Sequence, residues 1–303
     1  MKNIYNLKIK LLSKDSPYFP KNLLSLSDCP DMLFILGNEK ILNNTSVSIV
    51  GTRKSSQLGD ELAFNISQKL SKQNITIVSG LAKGIDSKAH RGSFNNGKTI
   101  GIIAYGFNYL QSSSDMKIVT EILNNGGTII SEYFPDTPPQ AFCYLKRNRL
   151  VATISFITIV IEAPIKSGAL NTAKIALAHN KKVFAIPWNI NIQSGEGCNF
   201  LIQNKVTLLT NYTQILNALN IPHENILNIN ITKVSDSDFS NIPQEFLELY
   251  KFILSHENVT KELIYSHFSN NNISSINSKL TLMELEGLIV YNFGKYKRGH
   301  LLK

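Results

Sequence analysis

Val47-Ser48-Ile49-Val50-Gly51-Thr52-Arg53-Lys54-Ser55-Ser56 carries a short β-branched run straight into a glycine loop, and helical spacing begins immediately afterwards near Leu58. The same order recurs along the chain. Short β-branched runs stand at 47–50, 75–78, 99–103, 128–130, 156–161 and 183–186, each beside a glycine, serine or proline loop. Helical spacing lies between them over 58–70, 116–123 and 169–178. Strands alternating with helices at this spacing predict an α/β domain whose parallel sheet is covered on both faces. Ligands are then expected at the carboxyl ends of the strands.

The chain's 303 residues, 43% of them hydrophobic, suffice for one medium domain with a small companion. The longest apolar stretch, 154–163, is about half of the ~20 residues a membrane helix needs and contains Glu162. It reads as a buried strand, so no membrane partner is expected. The start, Met1-Lys2-Asn3-Ile4-Tyr5, has no apolar leader with a cleavage site behind it, so a cytoplasmic protein is expected. Cys29, Cys143 and Cys198 are odd in number and far apart, which argues against disulfides and zinc; no metal or cofactor is expected. The formal charge of +9 makes a polyanion a plausible partner.

Residues 1–40 read as a lead-in segment to a main domain over 41–220, and 221–241 as a linker. In 242–303, three short helices over 243–255, 260–267 and 274–286 precede a pair of short strands around Leu288-Ile289-Val290 and Gly294. That is the outline of a winged helix. Its third helix carries Lys279 but also Glu284 and Glu286, which repel phosphate, so a protein-binding or dimer-packing role is expected of it. The basic tail (Lys295, Lys297, Arg298, His300 and Lys303) reads as a solvated end.

Three loops are candidates for anion binding. In the first, Gly51 lets backbone approach a phosphate and Arg53 adds a charged contact. The second, Ser79-Gly80-Leu81-Ala82-Lys83-Gly84, again precedes a helix, and Lys83 supplies a cation that is equally a solvated loop charge. The third, Lys166-Ser167-Gly168-Ala169, opens a further helix. Each alone is equally an ordinary strand-to-helix turn; two in succession with cations shift the balance. Asp86 and Glu162 read as a helix cap and a strand-end charge, because no nucleophile or metal set accompanies them. His90 reads as a buried, hydrogen-bonded histidine. No catalytic residue is assigned. Tyr144-Leu145-Lys146-Arg147-Asn148-Arg149 puts three cations beside an aromatic ring, the combination that single strands use for phosphate contact and base stacking. The alternative is a charged helix start with Tyr144 in the core.

Taken together these residues resemble the DNA-processing protein A family (DprA, also called Smf). The resemblance covers roughly residues 18–210 and rests on Ile49-Val50-Gly51-Thr52-Arg53, the second loop with Ala89-His90-Arg91-Gly92, Ser131-Glu132-Tyr133, Arg147-Asn148-Arg149, and Glu162-Ala163 with Ser167-Gly168-Ala169-Leu170. It implies an extended Rossmann-like fold, a homodimer, and binding of single-stranded DNA taken up in natural transformation, which is passed to the RecA recombinase. Carried over, Gly51, Arg53, Ser79, Gly80 and Gly84 contact phosphate, and Lys146, Arg147 and Arg149 line the same pocket. Tyr144 stands where the family has phenylalanine and could stack on a base, and Asn148 orders the loop. The chain departs from the family at Leu145, Trp188 and Lys205-Val206, and losing glycine at Trp188 puts that loop's geometry in question. An alternative is a nucleotide-binding enzyme of the related lysine-decarboxylase-like phosphoribohydrolase group. The third loop lacks that group's glycine pair and the glutamate that follows it.

Overall fold

The computed structural model describes residues 8–95, 97–110, 115–222, 242–256, 259–269, 272–292 and 294–298. It divides into two compact units, Met1–Glu224 and Asn225–Lys303.

The first unit is built on one sheet. Its strands are β1 (Lys10–Ser13), β2 (Met32–Gly37), β3 (Ser46–Val50), β4 (Thr76–Ser79), β5 (Thr99–Ile102), β6 (Thr128–Ser131), β7 (Ile157–Val160), β8 (Lys182–Ala185) and β9 (Thr207–Leu208). They lie in the order β1-β2-β6-β5-β4-β3-β7-β8-β9. From β6 to β9 every pairing is parallel. The strand β2 pairs antiparallel with both β6 and β1. The segment expected as a mere lead-in therefore extends the main sheet: the apolar run Met32 to Leu36 finds its partner in β6, far along the chain.

Helices α1 (Gln57–Lys72), α2 (Ile85–Ser93), α3 (Met116–Asn124), α4 (Ala141–Ile154), α5 (Gly168–Ala178), α6 (Glu196–Gln203) and α7 (Thr213–Ala218) flank the sheet. Successive strand residues point to opposite faces, so a strand buried on both sides is apolar at neighbouring positions. Val47 and Ile49 pack with Ala63, Ile66 and Leu70 of α1 and Ala89 of α2. Val50 faces the other way, with Leu150 and Ile154 of α4 and Ala173 of α5. The chain steps outward from β3 through β4, β5 and β6, then returns to the other side of β3 as β7. The loops after β3 and β7 thus leave in opposite directions and open a crevice at the carboxyl edge, the place where such sheets bind ligands.

The second unit contains α8 (Leu247–Ser255), α9 (Lys261–His267) and α10 (Ile273–Leu285), then a hairpin of β10 (Ile289–Asn292) and β11 (Lys295–Arg298). Phe246, Tyr250, Ile253, Ile264, Leu280 and Met283 are among the residues of its own core. Glu284, read from sequence as a phosphate-repelling charge, accepts the backbone N–H of Tyr291 at 2.9 Å and so ties α10 to the hairpin. The linker expected over 221–241 and the tail residues His300 and Lys303 lie outside the described residues except at Ile221 and Pro222. Among the described residues the cysteines are unpaired, no helix is long and apolar enough to cross a membrane, and no cluster of His, Cys, Asp and Glu is arranged to hold a metal.

Candidate nucleic-acid interface

The first loop is locked from below. The backbone N–H of Thr52 donates to the Glu162 carbonyl at 2.7 Å, while the N–H and hydroxyl of Ser56 donate to Glu162 Oε2 at 2.9 and 3.0 Å. Ser56 in turn accepts from Gly59 N at 3.0 Å as the cap of α1. Glu162 is fully buried, so its charge is spent on the positive end of α1 rather than on a ligand. With the loop anchored in this way, Arg53 and Lys54 stand exposed above it.

The second loop packs on the first. Gly84 has φ 76°, and a side chain there would strike the Thr52 carbonyl, so only glycine lets α2 start this close to the Arg53 backbone. Gly80 permits a second close approach, since a Cβ at this position would fall on the Arg147 guanidinium and the Asp86 carboxylate. Asp86 is buried; burial pushes its pKa up to about 6, against the opposing pull of Arg147, Ser79 and the Ala82 backbone. His90 is fully buried, bonded through Nδ1 to Thr99 Oγ1 at 2.6 Å and through Nε2 to the Gly80 carbonyl at 2.7 Å. Burial lowers its pKa to about 4, so it is neutral near pH 7, and its Nε2–H holds the Gly80 peptide in place. The Ser79 hydroxyl, expected at phosphate, is fully buried and donates to the Ile49 carbonyl at 2.6 Å. It joins β4 to β3 instead.

Tyr144, Lys146, Arg147, Asn148 and Arg149 all lie on α4, and helical periodicity separates them. Tyr144, Arg147 and Asn148 turn toward the loops. The Arg53 guanidinium carbon sits 5.4 Å from the centre of the Tyr144 ring, a cation–π distance. Arg147 Nη1 donates to the Ile102 carbonyl at 3.0 Å, and Asn148 reaches the Gly168 carbonyl at 3.4 Å, bridging α4 to the third loop. Lys146 and Arg149 turn away, which corrects the expectation that they share one pocket with Arg147. Arg149 Nε meets Asp28 Oδ2 at 2.6 Å, its Nη2 meets Glu132 Oε2 at 2.6 Å, and Lys146 lies 3.8 Å from the same Glu132 oxygen.

Two cavities open along this edge. One, of about 580 Å³, sits in the β3–β7 crevice among Gly51, Gly80, Asn148, Lys166, Ser167 and Gly168. The other, of about 550 Å³, lies beyond β4 and β5 and takes in Lys54, Lys83, Tyr105, Tyr109 and Asp115. Arg53, Ala82, Tyr144 and Arg147 line both and form the partition. Ser167 caps α5 by accepting from Leu170 N at 3.2 Å, leaving that helix start open to the first cavity. Lys54 and Lys166 stand in the quoted loops without a role assigned to them there, and Tyr105 and Asp115 are additions to the residues read from sequence. The two lysines follow glycine-loop logic, whereas Tyr105 and Asp115 carry no local motif and are gathered only by the sheet.

A chain with this sequence and fold has known counterparts. The sequence profile of the family described as DNA recombination-mediator protein A matches residues 10–220. The chain belongs to that family. It is 29% identical over 289 residues to the protein Smf of Escherichia coli K12, covering 95% of this chain and 77% of that one. It is 35% identical over 199 residues to the DNA processing protein DprA of Streptococcus pneumoniae R6, covering 65% and 70%. The solved structure of DprA from Helicobacter pylori, studied for its single-stranded DNA binding mode, superposes with a TM-score of 0.64 at 28% identity, covering 72% of this chain and 98% of that one. Family membership gives the extended Rossmann-like sheet its counterpart and places the chain in DNA processing and recombination.

Proposed function

We propose that the groove holds single-stranded DNA, and that the chain acts by binding and positioning the strand rather than by covalent chemistry. The observation that carries this reading is the Arg53–Tyr144 stack standing between two cavities. A guanidinium on an aromatic face offers both a phosphate contact and a stacking surface, neither of which depends on base sequence. Around it Lys54, Lys83 and Lys166 are exposed, and none is ion-paired among the described residues. The loop amides of Gly51, Gly80 and Gly168 lie on the phosphate side.

In the cell, we infer, a cytoplasmic homodimer protects incoming strands during natural transformation and delivers them to the RecA recombinase. Family membership supports this reading, as does the single-strand binding studied in the H. pylori relative.

Fluorescence anisotropy with labelled oligo-dT tests the groove. With four phosphates neutralised by Arg53, Lys54, Lys83 and Lys166, log affinity falls against log salt with a slope of about −3. Arg53→Ala weakens binding by about tenfold or more and makes the slope shallower by about 0.7. Identical binding by both proteins would overturn the assignment. Release of free base from nucleoside monophosphates would instead favour the phosphoribohydrolase reading.

A further inference from the structure

The crevice between β3 and β7, with its cations and loop amides, also holds an acid. Asp86 lines it together with Gly51, Gly80, Arg147 and Lys166, and the residue is only 7% exposed. The Asp86 carboxylate and the Arg147 guanidinium stand side by side, both where a Cβ of Gly80 would fall. Arg147 keeps its Nη1 on the Ile102 carbonyl at 3.0 Å, while its buried Nε–H has no acceptor among the described residues. The other cation acting on Asp86 is Arg53 of the first loop; His90 on the same helix is neutral near pH 7, and Glu162 behind that loop is held by Ser56. A helix cap accounts for an acid in the first turn of α2. It does not account for a buried carboxylate in the wall of a cavity built for anions, where it raises the cost of every anion that enters.

That cost depends on the charge of the ligand. Coulomb energy is proportional to it, so Asp86 opposes a phosphomonoester, with close to two charges at neutral pH, about twice as strongly as a phosphodiester with one. The hydration lost on entry grows with the square of the charge, so it is about four times larger for the dianion. Attraction to the arginines and lysines only doubles. Resting on the single-strand reading of the groove, we propose that Asp86 is the residue by which the crevice discriminates a phosphodiester from a phosphomonoester, so that the internal phosphates of a strand enter and free nucleotides are refused. Arg147 and the loop amides attract, and Asp86 limits the charge that they accept. The groove is thereby kept open to strands in a solution of free nucleotides.

The test uses the full chain, labelled oligo-dT and two competitors that share one base and differ in charge: dTMP and its methyl ester, a phosphodiester. Ionic strength is held constant near neutral pH. On the wild type, dTMP displaces the strand only at about tenfold higher concentration than the methyl ester, or not at all. In Asp86→Asn the ratio of the two inhibition constants falls by about tenfold, because dTMP gains more than the methyl ester does. Should that variant fail to fold, the wild-type chain gives a second reading. A phosphodiester keeps its one charge across the range, so oligo-dT affinity rises severalfold as pH falls from about 7 to about 5 and Asp86, whose burial puts its pKa at about 6, takes up a proton. A flat profile over that range overturns the proposal. So does a wild type that dTMP empties as readily as the methyl ester, or a ratio that Asp86→Asn leaves unchanged while binding still depends on Arg53; in these cases the groove stands. Failure of oligo-dT to bind the wild type overturns discrimination and groove together.

Discussion

Gly80 fixes how near the Arg147 guanidinium comes to the second loop. The guanidinium lies where a Cβ of residue 80 would be, and the His90 Nε2–H keeps the peptide from rotating away. Gly80→Ala displaces two buried side chains, the Arg147 guanidinium and the Asp86 carboxylate, rather than backbone, so both binding and stability suffer. We expect oligo-dT affinity to drop by about tenfold or more and the melting temperature to fall by about 5 degrees or more. Beneath the same loop, Asp86 and His90 have pH dependences of opposite sign. Asp86 rises from 3.8 to about 6 on folding, so between those values the folded chain holds a proton that the unfolded chain has released, and stability declines as pH rises. His90 falls from 6.5 to about 4, so over nearly the same window the unfolded chain holds the extra proton and stability increases with pH. Each contribution is on the order of 3 kcal/mol, and the two largely cancel. Asp86→Asn removes one side of the balance: relative to wild type, its unfolding free energy falls steeply as pH drops from about 6 to about 4, as read from urea denaturation at several pH values. A parallel pair of curves would show that the two groups do not oppose each other.

At the scale of elements, α4 shows why a cluster in sequence need not be a cluster in space. Three cations within four residues look like one basic patch, yet at 3.6 residues per turn Arg147 falls on the groove face while Lys146 and Arg149 fall toward Glu132. The side chains of Arg149 and Glu132 are 9% and 4% exposed. Removing one member of such a pair leaves an uncompensated buried charge, so Arg149→Ala costs about 3–5 kcal/mol of stability, against little change for Arg53→Ala. Thermal melts of the two variants beside their salt slopes separate the structural arginine from the one proposed to bind the strand. The six β-branched runs were legible because a strand buried on both faces is continuously apolar, and they stand within one or two residues of β3 to β8. The strand β2 was not: Met32 to Leu36 is too short to distinguish strand from helix, and its partner β6 is remote in sequence. Arg53, Gly80 and Gly84 were legible in the site because close backbone approach leaves glycine as its mark, while Asp115 belongs to the site only through tertiary placement. Trp188, where the family has glycine, keeps its loop in place by packing on the apolar clusters of both sheet faces and donating Nε1–H to the Ile161 carbonyl at 2.7 Å. Gly195 leaves room for the indole. Trp188→Gly therefore destabilises by about 3 kcal/mol, measured by chemical denaturation, rather than restoring a familial geometry.

Over the whole molecule, the two units keep separate cores. Among the described residues, the apolar clusters of the first draw on residues between Leu12 and Ile221, and that of the second on residues between Ile242 and Tyr296. Each unit has apolar clusters of its own, so each should unfold as a unit. The second unit is small, and small domains bury a lower fraction of their surface and are correspondingly marginal. Calorimetry of the full chain should then resolve two transitions, the second unit melting at the lower temperature. A fragment of residues 8–222 should show the higher transition unchanged. Arg53, Lys54, Lys83 and Lys166 all lie within that fragment, so its oligo-dT salt slope should equal that of the full chain. A shallower slope in the fragment would mean that cations of the second unit also neutralise phosphates. The Rossmann-like sheet would then supply only part of the grip, and the basic strand β11 would have to be counted with the groove.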